Sequence, residues 1–96
     1  MMNNDVLKAI LNEYGTKVRA IRCNNVFIQL NQSTQNIKAI TADDIKYKTY
    51  GDTDFIIVPI WDSHHQRYFD SIIKTDQVEV IGCVRNDSDV LDIYCM

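Results

Sequence analysis

After Gly15 no stretch of this chain keeps a helical period. Apolar residues come in short runs broken by clusters of Asn, Asp, Ser and Thr. Runs of that length between turn-forming residues read as β-strands. KVRAIRC, VFIQL, IKAIT, IKYKTY, FIIVPIW, RYFDSII and QVEVIGCV are the predicted strands, and VLDIYCM closes the chain as a strand or short helix. The breaks between them are Asn24-Asn25, NQSTQN, GDTD, DSHHQ and NDSD. Glycine occurs three times and proline once, so Asn and Asp must supply most of the turns. Pro59 lies inside the apolar run 55–61, which reads as a doubly covered strand, and predicts an edge position or bulge there. Gly82 suggests a second bulge, ahead of Cys83.

One segment reads as a helix, over about 5–14. Val6, Leu7, Ile10, Leu11 and Tyr14 fall on one stripe, and Asp5, Lys8, Asn12 and Glu13 face away. Asn4 is the expected N-cap, Asp5 favours the positive end, and Gly15 stands where a C-cap is wanted. One helix and about six or seven short strands favour a mainly β fold, a small, strongly bent barrel, over a parallel βαβ design, which needs more helices. The 96 residues make one domain, 1–96, with a C-terminal extension at about 86–96. A chain this short leaves much surface exposed, and self-association is a common way to cover it.

The segment Tyr68-Phe69-Asp70-Ser71-Ile72-Ile73-Lys74-Thr75-Asp76-Gln77-Val78-Glu79-Val80-Ile81 resembles the closing motif of Sm-like and SH3-like small barrels. There a strand ends in an apolar pair and a basic residue, a brief turn follows, and the last strand opens on a β-branched residue. Ile72-Ile73-Lys74, Thr75-Asp76-Gln77 and Val78-Glu79-Val80-Ile81 take those places. The resemblance implies a ring oligomer with RNA or a nucleotide bound at pore-side loops.

Net charge is −3, unevenly placed. Residues 1–50 carry seven Lys and Arg against four acids, and residues 51–96 carry three against nine. Such asymmetry permits contact between unlike faces of identical subunits. The acidic pI of about 5.1 opposes non-specific binding to a polyanion. Cys23, Cys83 and Cys95 are odd in number and form no C-x-x-C pair, which suits buried free thiols in a reducing compartment. The start of the chain holds no apolar run of signal-peptide length, and the longest apolar run, 55–61, is too short for a membrane span. Cytoplasmic localisation with no membrane contact is the expectation.

Lys46, Tyr47, Lys48 and Tyr50 put basic groups beside aromatics on one strand, a pattern suited to phosphate contact and base stacking. A solvated strand face explains the two lysines equally well. His64, His65 and Arg67 are ligand-contact candidates at a turn, although adjacent histidines in a hairpin should point apart. Trp61 and Tyr68 flank that turn and, with Leu7 and Leu11 of the helix stripe, are candidates for an assembly or partner surface. No zinc spacing, phosphate-binding glycine loop or G-x-S-x-G elbow is present, so no catalytic residue, metal or cofactor is expected. The leading expectation is a non-enzymatic small oligomeric protein that binds a protein or small ligand. The alternative is an Sm-like ring binding RNA or a nucleotide. The Ile-, Asn-, Asp- and Lys-rich usage, of the kind found in low-GC bacteria and their phages, adds a phage counter-defence protein as a further alternative.

Overall fold

The computed structural model describes residues 2–24, 26–32 and 40–84, and the backbone of 90–95. Most of the expected loop NQSTQN and strand IKAIT, and the NDSD loop, lie outside the described residues.

Helix α1 runs Asn4–Tyr14. Its N-cap is Asn3, whose side-chain oxygen accepts from the Val6 N–H at 2.9 Å, and not Asn4 as the sequence suggested. Asn4 is buried instead, because it is the first helical residue to meet the sheet beneath. Gly15 closes the helix at φ 53°, ψ −126°, and its N–H bonds to the Leu11 carbonyl. That backbone conformation is open to glycine and strained for other residues, while a Cβ there would meet nothing within 4 Å. Gly15→Ala is therefore expected to cost about 1–2 kcal/mol from backbone strain alone, read from urea unfolding.

Among the described residues, seven strands form two antiparallel sheets. β1 (Val18–Cys23) and β2 (Val26–Gln29) make a tight hairpin with Cys23 opposite Val26, and Asn24 takes φ 41° as a two-residue turn demands. β3 (Lys46–Tyr50), β4 (Thr53–Asp62) and β5 (Arg67–Lys74) form a meander. Gly51, at φ 59°, turns the first of its hairpins, and residues 63–66 turn the second. A 3-10 turn, Thr75–Gln77, carries the chain across to β6 (Val78–Val84), which pairs with β1. β7 (Val90–Cys95), within the expected C-terminal extension, pairs with β6 and stands at the end of the first sheet's order. The sheet orders are β2-β1-β6-β7 and β3-β4-β5.

Both sheets and the helix bury one cluster. Leu7 and Leu11 from α1, Val18 and Ile21 from β1, Ile56 and Val58 from β4, and Val78 and Ile81 from β6 are at most 1% exposed. The mainly β architecture with one N-terminal helix is thus present, but among the described residues the two sheets are not hydrogen-bonded into a closed barrel.

The β4 run is not covered on both faces: Ile56 and Val58 are buried, while Phe55, Ile57 and Pro59 keep partial exposure. Pairing with β3 stops at Ile57 and pairing with β5 continues to Asp62, so β4 is locally an edge at Pro59. That meets the constraint proline sets. In β6 the register shift against β7 falls between Ile81 and Gly82, the place its glycine suggested.

Candidate functional site

Residues opposite each other in an antiparallel pair share a face. The register therefore assigns the two sides of the second sheet. Tyr47, Ile56 and Ile73 form one row toward the core, and Val58 and Ser71 lie on the same side. The other side carries the rows Lys48–Phe55–Lys74 and Lys46–Ile57–Ile72, then Pro59–Asp70 and Trp61–Tyr68. Tyr50 stands at its end, with its ring edge-on to Phe55 at 5.8 Å.

This outer face is unusually apolar for a surface. Ile72 and Tyr50 are each 70% exposed, and Phe55, Ile57, Pro59, Trp61 and Tyr68 are half-buried around them. Trp61 and Tyr68 pack as a cross-strand T-shaped pair with centroids 5.0 Å apart. Phe69, 47% exposed, lies on the opposite side of the same hairpin, past the point where β3 ends.

Several of the sequence candidates meet here and several do not. Lys46, Lys48 and Tyr50 share the outer face, and the register adds Phe55 and Lys74. Sequence reading along a single strand missed these two because only cross-strand pairing places them there. Tyr47 leaves the group: it packs against the core, burial pushes its phenol up from the ordinary value, and Lys8 stands 5.8 Å above its ring. Trp61 and Tyr68 are on the outer face. Leu7 and Leu11 are not available to a partner, because the surface their stripe needed is supplied by the chain's own sheets.

His64, His65 and Arg67 form a separate group. Phe55 and Asp62 are seven residues apart on β4, about 23 Å at the rise of an extended strand, which places the hairpin tip far from the lysine rows. At the tip the two histidine rings touch, with centroids 4.8 Å apart, instead of pointing apart. They lie in a turn, where strand alternation does not apply. Asp62 organises that turn: Oδ1 accepts the His64 N–H at 3.0 Å, and Oδ2 lies 2.6 Å from His65 Nδ1. The His65 contact, together with the backbone N–H groups of both histidines, holds the Asp62 carboxyl below its ordinary value.

A carboxyl with a lowered folded-state pKa stabilises above its unfolded value and loses that contribution as pH falls through the folded one. The Asp62 carboxyl 13C NMR signal is therefore expected to titrate at lower pH than an ordinary aspartate's, and the His64 and His65 amide signals to shift with it. In Asp62→Asn that acid-side shift is expected to vanish.

Among the described residues, no group of three or more His, Cys, Asp or Glu side chains is placed to hold a metal ion. Cys23 is buried, and desolvation followed by the charge of Glu79 pushes its thiol up to about 11, so at neutral pH it is protonated and a poor nucleophile. Cys83 is also buried. A cleft of about 210 Å³ lies beside the start of α1, lined by Met2, Asn3, Asp52, Thr53, Asp54 and Asp76. Its Asp54 is already engaged, accepting the Asn4 N–H at 2.8 Å and the Thr49 hydroxyl at 3.0 Å. Among the described residues no helix is long and apolar enough to cross a membrane. Compared with known protein families, curated proteins and solved structures, the chain matches none.

Proposed function

We propose that this chain is a non-enzymatic binding protein that acts through self-assembly and protein contact, with the outer face of β3, β4 and β5 as its contact surface. The observation that supports this reading is the exposure of Ile72 and Tyr50, each 70%, among half-buried aromatic and aliphatic side chains on one continuous face. A contiguous apolar face on a small domain marks an interaction surface, and Trp and Tyr are the side chains that most often dominate binding energy there.

Trp61→Ala removes the larger ring of the cross-strand pair and is expected to weaken association by about tenfold or more, with the far-ultraviolet spectrum retained. Native mass spectrometry and sedimentation equilibrium across a concentration series read the effect. A chain that stays monomeric at high concentration and retains no partner would sink the proposal.

A second reading has its own support. The row Lys48–Phe55–Lys74, with Lys46 next to it and Tyr50 on the Phe55 edge, sets positive charge around a stacking surface. That chemistry suits single-stranded RNA or a nucleotide. If three lysines contact phosphate, affinity for a labelled oligouridine should fall about twentyfold between 50 and 200 mM salt. The Lys46→Ala/Lys48→Ala/Lys74→Ala variant should remove most of that salt dependence. Binding that is absent, or insensitive to salt, rules this reading out.

A further inference from the structure

Among the described residues the second sheet ends on β5, and the one usual protection on this edge is a single mid-strand charge, Asp70. Sheet edges are commonly guarded by shortness, proline, bulges or a lysine in mid-strand. β3 is five residues long and carries Lys46 and Lys48; β2 is four residues long; β7 pairs through a register shift. β5 spans eight residues, contains no proline or glycine, pairs with β4 without any register shift, and carries its basic residues only at its two ends. Among the described residues no strand lies on its other side.

On the outer face β5 presents, at alternate positions, Asp70, Ile72 and Lys74. All three are exposed, Ile72 to 70%, and among the described residues neither Asp70 nor Lys74 has an ion-pair partner. This acid–apolar–base spacing is self-complementary under a two-fold axis. If two copies of β5 run antiparallel with Ile72 opposite Ile72 of the second copy, each Asp70 falls opposite the other chain's Lys74. Shifting the centre to Asp70 sets like charges face to face. Centring on Ser71 leaves Asp70 opposite Ile72, and centring on Ile73 leaves Lys74 opposite Ile72, so neither neighbour forms the charge pair. Charge therefore selects one register from its neighbours.

We propose that the chain forms a two-fold dimer by antiparallel pairing of β5 with β5 of a second copy, centred on Ile72, joining the two three-stranded sheets into one of six strands. This rests on the self-assembly reading above and adds a contact beside the outer face, at the β5 edge, whose test does not involve Trp61. An isologous contact of this kind closes at two subunits. It differs from a head-to-tail ring, which needs two unlike edges. It also leaves β6, already flanked by β1 and β7, out of the contact.

Asp70 and Lys74 are exposed and outside the core, so charge exchange at either tests the contact without touching the fold. In Asp70→Lys every cross-dimer pair becomes Lys against Lys, and in Lys74→Asp it becomes Asp against Asp. Each single variant is expected to self-associate at least about tenfold more weakly than the original chain. The double variant Asp70→Lys/Lys74→Asp restores opposite charges and is expected to recover dimerisation. Mixing the two single variants at equal concentration is the decisive arm, since every pair is then complementary. A heterodimer in native mass spectrometry is expected where each variant alone is largely monomeric. Dimers that ignore the single exchanges and give no preferred heterodimer would overturn this edge and register while leaving self-assembly standing. A wild-type chain that is monomeric at every concentration would overturn both.

Discussion

Leu7→Ala is expected to lower the unfolding free energy by about 2–5 kcal/mol, because Leu7 is wholly buried between the helix and the sheets and its removal leaves a cavity as well as lost contact area. Val6, next to it and 42% exposed, should tolerate alanine at well under half that cost. The pair decides what the apolar stripe of α1 is for. If it is a core element, the Leu7→Ala loss appears equally at low and high protein concentration. If it were an assembly surface, the loss would grow with concentration, since association stabilises the folded chain by mass action. Urea unfolding at two concentrations a hundredfold apart reads the difference.

Replacing Asn4 is expected to be the most damaging polar change in the helix, about 2–3 kcal/mol for Asn4→Ala. Its side-chain amide donates to the Lys48 carbonyl at 3.0 Å, and its amide oxygen accepts the Thr75 hydroxyl at 2.5 Å. Thr75 is fully buried, so the lost acceptor cannot be replaced by water without opening the junction. That one side chain ties the start of α1 to β3 and to the 3-10 turn between the sheets. Asn3→Ala removes only the cap and should cost about 1 kcal/mol. Equal costs for the two variants would mean that Asn4 is a second cap and not a tertiary tie.

Local chemistry alone determined much of the architecture. The 3.6 period of 5–14, ended by Gly15, is complete within its own segment, and so are the Asn24 and Gly51 turns and the alternation that marks most strands. Each depends on residues within a few positions of one another. For that reason the helix and six of the strands are legible without the fold.

Tertiary pairing decided the rest. Asn3 and Asn4 are equivalent cap candidates by type, and only the approach of Asp54, the Lys48 carbonyl and Thr75 makes one a cap and the other a buried tie. The Lys46–Tyr50 segment reads as one basic-aromatic strip, yet alternation sends Tyr47 to the core, and register brings Phe55 and Lys74 from other strands to stand with the lysines. Leu7 and Leu11 look like a surface in search of a partner until the two sheets cover them. The physical reason is common to all three. A residue's type and neighbours fix which face of its own element it takes, but what lies across that face is set by chain segments tens of residues away, through hydrogen-bond register and burial.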